Sequence, residues 1–484
     1  MFHCLLFNVA AHIGTSRSAG IYRIAHHLRD NHWDAEVIDF VPNWSLQQLK
    51  LLARTRITKN TKFLGFSHLF STWSDTLEEF CIWIKKVYPS LKLISGSAVN
   101  PSFKTTVIDY YIQGFGEIAL TELLKYLFSN GSRPRFALNK VNNGYLINAN
   151  DQYPAFPMKS LMIKYEDRDY IQPEEWLSVE FSRGCKFACD FCNFPVLGVK
   201  GDYSRDAEDF YLQLSDAYDR FGVSNYIVAD ETFNDSTEKI TKFANAVEQL
   251  SFTPWFSGFV RADLLVSRPA DIEEMARMNF LGHYYGVESF NRNSAKMVGK
   301  GMDPEKIKDG LLSIKQYYLK NKGMYRGQIS LIVGLPYDDK AFILNTQQWL
   351  IDNWIDQSVK WFVLHIPNHE LDKPSKMSSN YTKYGYSLST EDKELVPLFE
   401  SDPMVGATHL KWKNQHMDIF DAFELANKLQ LEIQEKFNLN IWSLGSFELT
   451  DSIYTRLLLK EFELSNIVKK EIRVRKYIRS KLSH

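Results

Sequence analysis

Residues 182–195 read Ser-Arg-Gly-Cys-Lys-Phe-Ala-Cys-Asp-Phe-Cys-Asn-Phe-Pro, so Cys185, Cys189 and Cys192 share one short loop at Cys-x3-Cys-x2-Cys spacing. Three neighbouring thiolates can ligate three irons of a [4Fe–4S] cluster and leave the fourth iron open to another ligand. The same residues also admit a three-thiolate zinc site completed from elsewhere. His365, His369, His409 and His416 are available for it, although none has knuckle-like spacing. Inert burial of the cysteines is the third reading.

Other chemistry-bearing residues follow at intervals. Asp230-Glu231-Thr232-Phe233 supplies carboxylates that can accept hydrogen bonds from a cation. Arg261, in Phe259-Val260-Arg261-Ala262-Asp263, offers a guanidinium suited to a carboxylate. Glu288 lies in Gly286-Val287-Glu288-Ser289, and Gly334 in Ile332-Val333-Gly334-Leu335-Pro336. Singly, each has an ordinary structural reading: a helix N-cap for Asp230 or Glu231, an ion pair with Asp263 for Arg261, a turn at Gly334 and Pro336. Together they carry more weight, because they fall at the ends of successive apolar runs.

Those runs define the elements that must position the residues. Strands are expected at Trp176–Phe181, Asn225–Ala229, Trp255–Val260, His283–Val287, Gln328–Val333 and Lys360–His365. Helices are expected between them at Ala207–Phe221, Ser236–Leu250 with Asp235 as N-cap, Asp271–Met278, Pro304–Asn321 and Lys340–Trp354. This rhythm predicts a partial or full (β/α) barrel over 176–366, with chemistry at the C-terminal ends of its strands.

In this setting Cys185-x3-Cys189-x-Phe191-Cys192 resembles the signature of the radical S-adenosylmethionine (SAM) superfamily, including the aromatic residue just before the last cysteine. The resemblance implies a [4Fe–4S] cluster on Cys185, Cys189 and Cys192, whose open iron takes the amino and carboxylate groups of SAM. It places Phe191 beside the adenine, Asp230 and Glu231 at the SAM ammonium, Arg261 at its carboxylate, Glu288 at the ribose and Gly334 where adenine approaches the backbone. It also implies reductive cleavage of SAM to methionine and a 5′-deoxyadenosyl radical, which abstracts a hydrogen from a small-molecule substrate before methyl transfer or rearrangement. The electron would come from a donor such as flavodoxin or ferredoxin.

The first 128 residues alternate strands and helices in the manner of a Rossmann-like domain, with a linker at 129–175 that contains a hairpin around Asn143-Gly144. A mostly helical C-terminal extension is expected over 367–484, with helices at Asp418–Phe437 and Asp451–Leu482. A Rossmann-like domain before a radical SAM barrel resembles the subgroup with an N-terminal cobalamin-binding-like domain. Val37-Ile38-Asp39, Ile94-Ser95-Gly96-Ser97 and Gly114-Phe115-Gly116-Glu117-Ile118-Ala119 support that resemblance. The Asp-x-His-x-x-Gly element that supplies an axial histidine to cobalt is absent, and only His12-Ile13-Gly14 is similar to it. Cobalamin, if held here, is expected to be held without histidine by loops near Gly14, Gly96 and Gly114; the alternative is that the domain is a scaffold.

The chain has 484 residues, 45% hydrophobic content and a formal net charge of −1, which provides a sizeable core and no global field for nucleic acid or anionic lipid. Five cysteines, three of them clustered, do not form a disulfide framework. Cys4 and Cys81 are assigned no role. With neither a signal-peptide pattern nor an apolar run of spanning length, the expected location is the cytoplasm, without membrane contact. The basic run Lys469–Lys481 reads as the solvated face of a terminal helix, with modification of a nucleobase or nucleic acid as the alternative.

Overall fold

The computed structural model describes residues 2–9, 16–68, 74–97, 107–129, 131–141, 143–149, 162–192, 203–354, 357–366, 375–388, 411–437 and 472–483. His12, Gly14, His369, His409 and the first part of the expected 451–482 helix lie outside the described residues.

Strand alternation builds the first domain. In β1 (Phe2–Asn8), Cys4 and Leu6 enter one core while Leu5 and Phe7 enter another, as a two-residue side-chain period requires. β2 (Ser16–Arg17) leaves for the second sheet, and β3 (Trp33–Ile38), β4 (Thr61–His68), β5 (Lys92–Ser97) and β6 (Tyr110–Gln113) pair in parallel around β1. The turn at Asn143-Gly144 joins β7 (Asn139–Val141) to β8 (Gly144–Asn148), and β8 adds in parallel to β6, giving the order β3-β1-β4-β5-β6-β8-β7. The hairpin expected within a linker is therefore part of the first sheet.

Helices Ala19–Asp30 and Glu117–Phe128 cover one face of this sheet, and Leu46–Arg56 and Asp75–Val87 the other. The helix over 472–483 also joins the second face, through Val474, Tyr477 and Ile478. Lys481 within it is buried and pairs with Glu36 at 2.9 Å. The basic run is thus not simply a solvated face: its helix is docked, with Arg475, Lys476 and Arg479 left exposed.

The second sheet is built from β9 (Trp176–Val179), with the short β10 (Ser182–Arg183) and β11 (Tyr203–Ser204) paired beside it, then β12 (Asn225–Val228), β13 (Trp255–Val260), β14 (Phe280–Glu288), β15 (Arg326–Val333) and β16 (Ser358–Val363). Its order is β16-β15-β14-β13-β12-β9-β2 with every pairing parallel. Six barrel strands plus β2 leave the sheet open, so the barrel is partial. Ser236, not Asp235, caps the helix Thr237–Val247, its side chain accepting from the Lys239 amide.

Arg17 on β2 locks the domains together. It is buried, bonds both oxygens of Glu175 at 2.5 and 2.9 Å, and reaches Asp39 at 2.9 Å. Among the described residues no helix is long and apolar enough to cross a membrane. In the extension, β17 (Ser387–Leu388) pairs with β18 (Trp412–Lys413), and the helix Ile419–Phe437 packs on the barrel.

Candidate active site

The barrel strands converge on one cavity. Cys185, Cys189 and Cys192 line a space of about 400 Å³ together with Phe191, Glu231, Arg261 and Glu288, each of the latter at a different point on the rim formed by the cysteine loop and the ends of β12, β13 and β14. That volume falls in the range of roughly 300–1,000 Å³ common for small-molecule sites. Two of the expected residues are not brought to it, Asp230 and Gly334.

Asp230 instead braces the approach to the cysteine loop. It is buried, accepts from the Phe181 amide at 2.7 Å and the Ser182 hydroxyl at 2.5 Å, and has Lys239 at 3.8 Å. Burial still pushes its carboxyl up to about 6 against these partners. Gly334 adopts φ +105° beneath Trp412, where a Cβ would stand 2.4 Å from the indole. Its carbonyl accepts from Tyr386 at 2.7 Å and Asn414 at 3.1 Å. Its glycine character therefore serves contact with the C-terminal extension.

Glu231 opens onto the cavity. Its side chain is exposed to that cavity, and the protein packed around the carboxyl, with the Asp230 carboxylate second, pushes it up to about 7. Thr232 donates to the Glu231 carbonyl at 2.7 Å and stands 3.8 Å from the Cys185 sulfur. The Arg261 guanidinium is forked onto Asp263 at 3.0 and 2.6 Å, lies 4.0 Å over Phe187, and turns Nη1 to the Cys189 sulfur at 3.6 Å. The ion pair with Asp263 exists, but inside the cavity wall rather than on the surface.

Glu288 owes its position to a bulge. The pairing of β14 with β15 shifts between Gly286 and Glu288, and Glu288 sits at φ +69°, a costly conformation for a residue with a Cβ. Lys300 holds the carboxylate at 2.8 Å and also donates to the Gly286 carbonyl. Lys300 and His365 both line the cavity without having been expected there as SAM-site residues. Burial pushes His365 down to about 4, which keeps its imidazole neutral. Lys300 gives no periodic signal, and only its flanking glycines, Gly299 and Gly301, mark a loop.

Among the described residues no three His, Cys, Asp or Glu side chains converge as a single metal ion would require. Thiolates of a zinc site all stand about 2.3 Å from one ion. Cluster thiolates each meet a different iron, which suits cysteines spread around a shared wall. Three thiolates on one wall of the cavity are the donor set that a cluster with one open iron needs, and His365, the zinc candidate, lines the same cavity.

A second cavity of about 210 Å³ lies at the C-terminal ends of the first sheet, lined by Leu6, Gly20, Phe66, Gly96, Gly114 and Phe115 among others. Glu117, Glu180 and Arg183 close one side of it. Arg183 bonds Glu117 and Glu180, each at 2.8 Å, and stacks 4.4 Å over Phe115, two residues before Cys185. His26 and His27 do not line this cavity; His27 bonds Thr121 at 2.9 Å and His26 faces Asp30 at 3.4 Å.

A Rossmann-like domain set against a partial barrel, with a three-cysteine loop at the barrel mouth, defines a class of two-domain α/β enzymes. Residues 179–350, which make up most of the barrel, match the family model of the Radical SAM superfamily. An uncharacterized methyltransferase of Pyrococcus horikoshii is 22% identical over 47% of this chain and 50% of its own length, so the chain spans about half of that relative. The tryptophan- and aza-SAM-bound radical SAM methyltransferase TsrM of Kitasatospora setae has a similar fold, with TM-score 0.61, 12% identity, and coverage of 81% of this chain and 79% of that one. The cobalamin-dependent SAM radical enzyme OxsB, with aqua-cobalamin and SAM bound, has TM-score 0.61 and 18% identity over 97% of this chain and 72% of its own. The two-domain architecture is thus shared with cobalamin-dependent radical SAM enzymes.

Proposed function

We propose that this chain is a radical SAM enzyme whose cysteine loop holds a [4Fe–4S] cluster and whose reaction ends in methyl transfer to a small-molecule substrate. The convergence of Cys185, Cys189, Cys192, Phe191, Glu231, Arg261 and Glu288 on one cavity carries this reading. Bound there, the cluster would supply the electron that cleaves SAM to methionine and a 5′-deoxyadenosyl radical for hydrogen abstraction.

The chain's own residues bind, orient and shield. Glu231 would receive the SAM ammonium, and Nη1 of Arg261, turned toward the Cys189 sulfur, would meet its carboxylate while Asp263 keeps the guanidinium from turning. Glu288, fixed by Lys300, faces the ribose hydroxyls, and Phe191 flanks the adenine. Tyr284, Phe259, Ile332 and Phe362 give part of the remaining wall an apolar face, which would limit water around a radical. Asp230 acts through the loop it braces.

The methyl-transfer ending rests on the methyltransferase relative and on the fold shared with TsrM and OxsB. With these goes cobalamin in the first domain, which the Gly96 and Gly114 loops and the apolar wall of the second cavity would hold. We expect no histidine ligand to cobalt. A flavodoxin- or ferredoxin-like protein in the cytoplasm would be the electron donor.

Anaerobic reconstitution followed by optical and EPR spectroscopy, with and without SAM, tests the core of the proposal. The expected result is about four irons per chain and an EPR signal that changes when SAM is added. Iron that does not bind, or a signal indifferent to SAM, overturns it. For the first domain, added cobalamin should be retained and give a cobalt(II) EPR spectrum without histidine hyperfine structure; protein that fails to retain it favours a scaffold.

A further inference from the structure

Asp190 lies between two of the proposed cluster ligands, directly after Cys189, and the C-terminal extension reaches back to it. The Tyr384 hydroxyl donates to Asp190 Oδ2 at 2.6 Å, and Lys376 Nζ stands 3.4 Å from Oδ1. The backbone is gripped too. The Met377 amide donates to the Asp190 carbonyl at 2.8 Å, and Lys376 Nζ reaches the Ala188 carbonyl at 3.3 Å. On its other side, the Asp190 amide donates to the Val298 carbonyl at 3.1 Å.

The grip is built rather than incidental. Ser375 and Ser378 form a reciprocal capping box that fixes the short helix Lys376–Ser379, and both serines are buried. The 3-10 turn Tyr381–Tyr384 ends at Gly385 in the left-handed region (φ +84°), which returns the chain so that the following residue, Tyr386, bonds the Gly334 carbonyl. One segment thus ties the cysteine loop to the end of β15 across the barrel mouth.

We propose that Asp190 and its partners Tyr384 and Lys376 form a charge-setting clamp on the cluster loop. The inference rests on the cluster reading above. A carboxylate one residue from a ligating thiolate disfavours adding an electron to the cluster, since reduction increases negative charge nearby. A hydroxyl and an ammonium on that carboxylate draw its charge away from the cluster and offset part of the effect. The extension, distant in sequence, thereby helps to set how readily the cluster accepts its electron. Asp190, Tyr384 and Lys376 are positioning residues, because they act through the loop.

The two sides of the clamp predict shifts of opposite sign. Asp190→Asn should raise the cluster's midpoint potential, while Tyr384→Phe and Lys376→Met should each lower it. The midpoints are read by EPR-monitored redox titration of the reconstituted full chain, with iron content measured alongside. A loop that was merely loosened would move all three variants in one direction, and that result, or midpoints equal to the parent's, overturns the clamp. Lys376→Met, at an exposed position, keeps the test open if Tyr384→Phe reconstitutes poorly. A parent protein that assembles no cluster overturns the underlying reading instead, so the two failures are distinguishable.

Discussion

The Arg261 guanidinium stands 3.6 Å from the Cys189 sulfur, and Asp263 occupies its other edge. Holding Asp263 through Nε and Nη2 while Nη1 turns to the sulfur needs the planar fork, which lysine lacks. Arg261→Lys should keep the charge but be unable to satisfy Asp263 and the cavity side together. Losing one charge-assisted hydrogen bond of about 1.5 kcal/mol corresponds to roughly tenfold weaker SAM binding. Equilibrium binding of SAM to the reconstituted protein measures this, and an unchanged affinity removes Arg261 from the site.

Cys185→Ala, Cys189→Ala and Cys192→Ala should each reconstitute with fewer than four irons, because each removes one of the three protein ligands. Cys4 and Cys81 are fully buried in the two cores of the first domain, and burial pushes both thiols up, far from the thiolate form. Cys81→Ala should cost stability, about 1 kcal/mol as a small core truncation, with iron content unaffected. Iron and acid-labile sulfide analysis separates these cases.

Glu231 carries a pH signature. With its folded-state carboxyl up to about 7, the folded chain holds a proton that the unfolded chain has already released, so stability falls as pH rises from the ordinary glutamate range to about 7. Glu231→Gln removes that cost. Thermal unfolding of the cluster-free variant should match the parent near pH 5 and exceed it near pH 8; parallel profiles would refute the raised carboxyl. In the reconstituted protein the same variant should bind SAM more weakly, with iron content unchanged.

The local part of the site was legible and its long-range part was not. Cysteine spacing and the strand ends before Glu231, Arg261 and Glu288 are short-range signals, and they led to residues that meet in one cavity. Asp230 beside Glu231 has the same residue type, but only the register of β9 against β12 sends it inward to the Phe181 amide. Gly334 looked like a ligand approach because nothing in its own segment announces Trp412, which arrives from the extension. The helix Leu46–Arg56 was missed although Ser45 and Gln48 form a readable capping box. β2, two residues long, has too little pattern to be read at all, yet it brings Arg17 into the barrel sheet.

The docked C-terminal helix gives the sharpest stability test. Lys481 Nζ bonds Glu36 at 2.9 Å, Arg56 approaches the same carboxylate at 3.6 Å, and the Tyr477 hydroxyl accepts from the Asp39 amide at 2.9 Å. Burial lowers the Lys481 pKa in spite of Glu36, while for Glu36 burial works upward but Lys481 and Arg56 hold the carboxyl below its ordinary value. Removing Lys481 leaves the buried Glu36 carboxylate with Arg56 alone at 3.6 Å, so Lys481→Ala should destabilise the chain toward the lower end of the range of about 3–5 kcal/mol for breaking a buried pair. Lys481→Met with Glu36→Gln removes both charges and should recover most of that loss. Lys476→Ala, at an exposed position on the same helix, should stay within about 0.5 kcal/mol of the parent. Urea unfolding of the cluster-free protein distinguishes the three variants. If Lys481→Ala were as mild as Lys476→Ala, the helix would not be docked through this pair, and the run of basic residues would again be open to a phosphate-binding role.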